Sequence, residues 1–536
     1  MSLICLLLAF SMLLCACNFG VRDFYRDLLM EAIGSDNIGK VSYSDMEYTR
    51  PDMIALEKTV TNSCKIARTS SDIDEVLDAV YTYYDSYDGF YTNMNLAYLK
   101  YCADLRDVYW EKEYNYCAEN AGTVDAGLEE LYYALADSPI REALEGEAYF
   151  GAGFFDAYEG ENVWDDTFLS LLEEETQLVN QYYELIEQQE MEDPEAFYTA
   201  SYEEMAQLLV DLVAKRQEIA AYMGYDSYVD FAYDFYYYRD YTPAQAMELT
   251  EIIRQELVEP YRAMSEGDYW APAEKFCTQS QMKEYMKVCA DAMGGDVKEA
   301  YERMQNNGLW NTEPGEYKLN TSFEVFLVNY QSPFVFVNPT ETDYDKLVLA
   351  HEFGHFVHDF VCGGTYASAD VAEVLSQGME YMSLCYGENT QALARMKAAE
   401  TLSVYVEQAA YAAFEHQLYE LPSESLTVEN VHALYRQVGL DFGFDTWEWD
   451  SRDFVLVNHY YTDPMYIISY VVSNDIAFQL YQLELEQPGA GLEKYQQMLF
   501  TNESWFCTFV EDMGMELPFD VERIRAAGET LQEIMK

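Results

Sequence analysis

His351-Glu352-Phe353-Gly354-His355 brings two imidazoles and a carboxylate into a single short stretch. On a helix, residues four apart stand one above the other, so His351 and His355 can each turn a ring nitrogen toward one ion about 2.0–2.1 Å away. Glu352 is rotated by roughly 100° from His351, able to reach a water beside such an ion but badly placed to ligate it. The chemistry these residue types permit is hydrolysis, with an ion that polarises and a carboxylate that takes a proton. The chain holds only six His, so composition alone would produce the pattern about once in a hundred such sequences. The competing explanation is a buried helix with two satisfied core histidines.

The element that carries these residues is apolar nearly all round, with Leu347, Val348, Leu349, Phe353, Phe356, Val357 and Phe360, which predicts a buried helix. Gly363-Gly364 end it, and Thr340–Asp345 are able to cap its start. Gly354 costs about 1 kcal/mol against Ala inside a helix, so a close packing contact is expected there. Just upstream, Ser322–Val328 and Phe334–Asn338 are rich in Val and Phe and predict a hairpin or small sheet. The second run is placed to act as an edge strand that binds an extended peptide by strand addition.

Two His leave a third ligand to be found. A second helix is signalled from Ser368 to Tyr386-Gly387, and Glu373, Gln377 and Glu380 fall on one of its faces at i, i+4 and i+7. Charged residues at that spacing usually form a solvated face, but Val371, Ala372, Val374, Leu375 and Met379 surround them. A carboxylate from this helix would complete a His₂Glu site and leave a fourth position to water.

Together, His351–His355 with the following His358, and Val371-Ala372-Glu373-Val374 with Ser376 and Glu380, resemble the metal motifs of the M3 family of zinc metallopeptidases, the oligoendopeptidase F and thimet oligopeptidase group. The resemblance implies Zn²⁺ held by His351, His355 and Glu373, with Glu352 as general base and Glu380 as an acidic group behind the ligands. His459-Tyr460-Tyr461 and Pro464-Met465-Tyr466, with Tyr470, resemble the family's His/Tyr segment. It implies that Tyr470, Tyr466 and His459 hold the oxyanion of a tetrahedral intermediate. If Asp463 caps and Pro464 opens a helix, Tyr466 and Tyr470 share one face. The likeness runs from about Val213 to the C-terminus and is weaker before it. Val472-Ser473 depart from an expected Thr-Gly-like pair, and Thr501–Ser504 lack a Gly-rich turn.

The rest of the chain is consistent with a large helical enzyme. Hydrophobic residues make up 50% and aromatics 16%, with 49 Tyr, which excludes a disordered acidic protein despite a net charge of −65. That charge repels nucleic acid and anionic membrane surfaces, so no nucleic-acid partner is expected. From Val21 to about Ile219 helix-period patterns dominate, as in Asp165–Gln189, and Thr242-Pro243 marks a helix start.

Leu3–Leu14 is a short apolar run suited to a signal peptide, and Leu14-Cys15-Ala16-Cys17 looks like a bacterial lipobox. The expectation is therefore an exported, extracytoplasmic protein, lipid-anchored to the bacterial cell membrane through Cys17. The eight later Cys show no C-x-x-C pair; an exported setting permits disulfides, but such scattered spacings define no framework, and most of the eight read as buried thiols.

The domains expected are a signal peptide over 1–16, an N-terminal helical region over 17–200 and an M3-like catalytic region over 201–536. The fold implied is mainly α and two-lobed, with a deep substrate cleft and a small β-sheet beside the metal helix. The function implied is hydrolysis of internal bonds in short unstructured peptides. The alternatives are a lipid-anchored peptide-binding protein without turnover and a zinc carboxypeptidase with the same helix motif.

Overall fold

A computed structural model describes residues 38–146, 150–158, 165–189, 194–264, 267–364, 367–444, 449, 452–501 and 503–536. The signal-peptide segment and Cys17 lie outside them. Three helices open the described chain: α1 (Met53–Thr69), α2 (Ile73–Ala103) and α3 (Val108–Ala136), which pack on one another. Each starts at an aspartate, Asp52, Asp72 or Asp107, whose carboxylate accepts backbone N–H groups that the first turn leaves unpaired. A pair follows, α4 (Asp166–Gln189) against α5 (Pro194–Tyr222). Residue 200, where the sequence suggested a boundary, falls inside α5.

The segment that builds the site begins with α6 (Gln279–Met293) and α7 (Gly295–Asn306) and continues into a three-stranded sheet. Its strands are β1 (Trp310–Asn311), β2 (Ser322–Leu327) and β3 (Ser332–Val337), in the order β1-β3-β2. β2 and β3 form the expected antiparallel hairpin, with Phe323 opposite Phe336. β3 is not an edge, because Trp310 and Asn311 pair in parallel with Val335 and Phe336 on its other side. Its backbone is therefore not available for strand addition, and all six of its residues are buried. A two-residue strand far upstream carries no periodicity that a sequence reading could use.

The sheet lies against α8 (Asp345–Cys362), which packs in turn on α9 (Ala369–Tyr386). Beyond these come α10 (Gln391–Ser403), α11 (Ala409–Tyr419) and α12 (Ile467–Glu486), the last packed along α9. The observed fold is thus mainly helical with a small sheet beside the His helix, as expected. Among the described residues no helix is long and apolar enough to cross a membrane, and none of the eight cysteines is joined in a disulfide.

Candidate active site

The start of α8 is organised by Asp345, whose carboxylate accepts the Thr340 and Thr342 N–H groups (both 3.0 Å) and the Thr340 hydroxyl (2.9 Å). Its end is set by Gly363, left-handed at φ 71°, a conformation that glycine adopts without strain. Between these points α8 crosses α9 closely. A Cβ on Gly354 would lie 2.6 Å from Ser376 Cα and 2.8 Å from the Leu375 carbonyl oxygen, which is why glycine occupies this position. The contact sits one residue before His355 and three after Glu373, so it sets the spacing between them.

At that crossing His351, His355 and Glu373 bring one ligand atom each within 4.8 Å of one another. His351 Nε2 and Glu373 Oε2 are 3.6 Å apart. A tetrahedral ion with bonds near 2.0–2.1 Å separates its ligand atoms by about 3.4 Å, close to the His351–Glu373 distance, so these three residues are a donor set able to hold a metal ion. His351 Nδ1 donates to Glu380 Oε1 at 2.9 Å. A carboxylate can only accept, so this bond places a proton on Nδ1 and leaves Nε2 as the nitrogen turned toward the ligand cluster. Glu380 is held in turn by Lys397 (2.7 Å), which also pairs with Glu400 (3.0 Å), and Tyr344 donates to Glu400 (2.7 Å).

Glu352 is buried on the neighbouring face of α8. Burial raises its carboxyl pKa to about 7, opposed by His351 and assisted by Glu373 and Glu380. Burial and the charge of His351 push His355 down, so that imidazole stays neutral. The His351 side chain keeps 25% of its exposure and that of Glu373 keeps 11%, so the cluster is recessed but reachable from solvent.

The His/Tyr segment meets this cluster from the other side. Tyr466 donates to Glu373 Oε1 at 3.1 Å, Tyr470 is hydrogen-bonded to His459 Nε2 at 3.3 Å, and His459 stacks on Tyr466 with ring centroids 5.4 Å apart. The Tyr466 and Tyr470 rings are 5.2 Å apart. The way they come together differs from expectation. Pro464 does not open the helix, because Met465 takes a left-handed conformation (φ 68°) and α12 begins only at Ile467. That turn is held on both sides, with Met465 N–H donating to Glu415 (2.9 Å) and the Met465 carbonyl accepting from Arg239 (2.9 Å). Tyr466 is thereby committed to Glu373, a placement that its spacing from Tyr470 does not reveal. Val472 and Ser473 are buried within α12.

Residues that sequence reasoning did not single out complete the surroundings. Arg216 on α5 is fully buried and donates to the Tyr460 and Tyr461 carbonyls (2.7 and 2.6 Å), fixing the short helix His459–Thr462. It pairs with Glu175 of α4 at 2.6 Å. Lys397, Arg239 and Glu415 are buried as well. One signal existed: with 31 Lys and Arg against 96 Asp and Glu, a basic residue set among aromatics, as in Tyr236–Tyr241, is conspicuous.

The chain is a mainly α-helical protein with a small sheet beside a His₂Glu cluster, and its fold is similar to that of solved structures carrying the name oligoendopeptidase F. One of these is 19% identical with a TM-score of 0.78, covering 92% of this chain and 98% of its own. Another, described as an oligoendopeptidase F from Bacillus anthracis strain Ames, is 19% identical with a TM-score of 0.76 over the same shares. PZ peptidase A, solved with an inhibitor, is also 19% identical, with a TM-score of 0.78 and the same coverage. At this identity the matches establish the fold. Residues 43–162 match the family described as the Peptidase M3 N-terminal domain. No curated protein matches the sequence.

Proposed function

We propose that this chain is a zinc-dependent endopeptidase of the M3 type that hydrolyses internal bonds of short, unstructured peptides. The observation that carries the reading is the convergence of His351, His355 and Glu373 within 4.8 Å, with Glu352 beside them and outside the donor set. The oligoendopeptidase F fold and the M3 N-terminal match support it. His351, His355 and Glu373 would hold the ion. When bound, zinc supplies Lewis acidity toward the scissile carbonyl and the attacking water, and a positive charge that favours ionised Glu352.

Glu352 takes the proton of the attacking water and returns it to the leaving amine, a role that suits a carboxylate whose pKa burial has moved toward neutrality. Tyr470 is the hydroxyl donor assigned to the developing oxyanion, a contribution of about 3–4 kcal/mol for a well-placed donor. His459 accepts or donates at that hydroxyl and orients it. Tyr466 holds Glu373 in place and is a weaker candidate for the oxyanion. Glu380 and Lys397 keep the His351 ring turned.

Purified protein supplied with zinc and a mixed peptide pool, with products read by mass spectrometry, tests the proposal. Internal cuts are expected; successive loss of C-terminal residues alone would favour a carboxypeptidase, and no product at all a binding protein. Export and lipid anchoring through Cys17 belong to the same reading and rest on the lipobox-like Leu14–Cys17. Cys17→Ser should move the protein out of the membrane fraction, and an unmodified mature N-terminus in native material would refute the anchor.

A further inference from the structure

We propose that Arg239 is a positioning residue of this site, a buried guanidinium that sets the register between the helix carrying Glu373 and the segment carrying Tyr466 and Tyr470. The inference deepens the peptidase reading and rests on it. The Arg239 side chain is 0% exposed. Its Nε lies 3.3 Å from Asp370 Oδ2, in the first turn of α9 and one turn before Glu373. Its Nη2 donates to the Met465 carbonyl (2.9 Å) and to Ser469 Oγ (2.8 Å). Met465 immediately precedes Tyr466, and Ser469 immediately precedes Tyr470. One planar group therefore bonds both walls of the site within a turn of their reacting side chains.

The aromatic surroundings restrict that plane further. The guanidinium carbon is 4.4 Å from the Tyr233 ring centroid and 4.3 Å from that of Tyr237. Tyr237 donates to the Pro464 carbonyl (2.8 Å) and packs edge-on to Tyr466 at 6.2 Å. Tyr241 donates to the same Asp370 oxygen at 2.9 Å. A buried ion pair is weak grounds for a stability role, since apolar replacements are often as stable; what it fixes well is geometry. The geometry at stake is the Tyr466–Glu373 bond and the approach of Tyr470. Met465 precedes α12, so without Arg239 its carbonyl loses its partner and the turn is held only through Glu415 at the Met465 N–H and Tyr237 at the Pro464 carbonyl. A lysine cannot replace the group, because a single ammonium cannot make three directed contacts in one plane while stacked on two rings.

Two substitutions test this in the full chain. Arg239→Lys keeps a charge opposite Asp370 but loses the fork. Ser469→Ala removes the acceptor on α12 and leaves no charge unpaired, so it folds even if the first variant does not. With zinc saturating, both should lower kcat by roughly tenfold to a hundredfold, the cost of a misplacement on the order of an ångström, while KM stays within about threefold. Affinity for a phosphinic pseudopeptide, a tetrahedral mimic, should fall in parallel by calorimetry, with zinc stoichiometry unchanged. Unchanged kcat in both variants overturns the role of Arg239. So does an equal loss of affinity for substrate and mimic, which indicates general loosening of the fold. Absence of peptide turnover by the unaltered, zinc-loaded protein refutes the peptidase reading and this inference with it.

Discussion

Glu352 and Glu380 flank the same imidazole, yet their surroundings push them in opposite directions. Burial raises Glu352 to about 7. Burial would raise Glu380 too, but Lys397 and then His351 outweigh it and hold that carboxyl below its ordinary range. The division suits one group that exchanges a proton and one that stays charged to orient a ligand. Glu352→Gln is therefore expected to keep stoichiometric zinc and lose about 10²–10⁴-fold in kcat. His351→Ala, His355→Ala or Glu373→Ala should lose the metal. Elemental analysis decides between Glu373 and Glu380: zinc retained in Glu373→Ala but lost in Glu380→Ala would reverse the assignment. Tyr466 and Tyr470 should also separate. Tyr470→Phe lowers kcat with little change in KM, whereas Tyr466→Phe, by freeing a Glu373 oxygen, weakens zinc binding by about 10- to 100-fold. Competition with a chelator measures the second effect, and equal zinc affinity in both variants would remove Tyr466 from the metal's support.

Helix α8 and the turn before α12 position these side chains by different means. In α8 the means is a close approach, and Gly354→Ala should force it open. The gain of about 1 kcal/mol in helix propensity is outweighed by overpacking that typically costs about 1–3 kcal/mol, because the obstructing atoms are the backbone of Ser376 and Leu375. A lower melting temperature with weaker zinc binding is expected, and an unchanged zinc affinity would show that the helix spacing tolerates change. In the turn the means is a hydrogen bond from Met465 N–H to Glu415, whose carboxyl burial raises to about 7 despite that bond and the nearby His459 and arginines. A carboxyl with a raised folded pKa contributes stability below its unfolded value near 4.5 and loses it as pH rises through about 7. Against Glu415→Gln, the unaltered protein should therefore lose up to about 3 kcal/mol between pH 4.5 and 7 and change little above. Denaturant midpoints of the two proteins at matched pH check this, and parallel curves would mean that Glu415 is ionised throughout.

Across the molecule the dominant quantity is a net charge of −65. The site is recessed among helices, so extended peptides should reach it and stably folded proteins should not. A negative potential focused into such a recess would favour cationic peptides, an advantage that salt screens within a Debye length of about 8–10 Å. Matched Lys-rich and Glu-rich peptides at low and high ionic strength test the idea. Equal kcat/KM values without salt dependence would assign the acidity to solubility, and rapid digestion of a stably folded protein would refute the recessed site.

Periodicity and spacing carried the local facts: the apolar helix around His351 and His355, its glycine stop, the acidic face of α9 and the β2–β3 hairpin. These follow from neighbours a turn or a strand apart, which a linear chain records directly. What folding alone settled were relations between distant segments. The pairing of Trp310 and Asn311 with β3 moved that strand to the middle of the sheet. The left-handed Met465 delayed α12 and turned Tyr466 onto Glu373. Arg216, Arg239 and Lys397 became the supports of the site only once burial removed water as their partner. A charge on a written sequence is solvated by default. Which charges must find a partner inside, and therefore which ones hold the site together, depends on packing that no single stretch encodes.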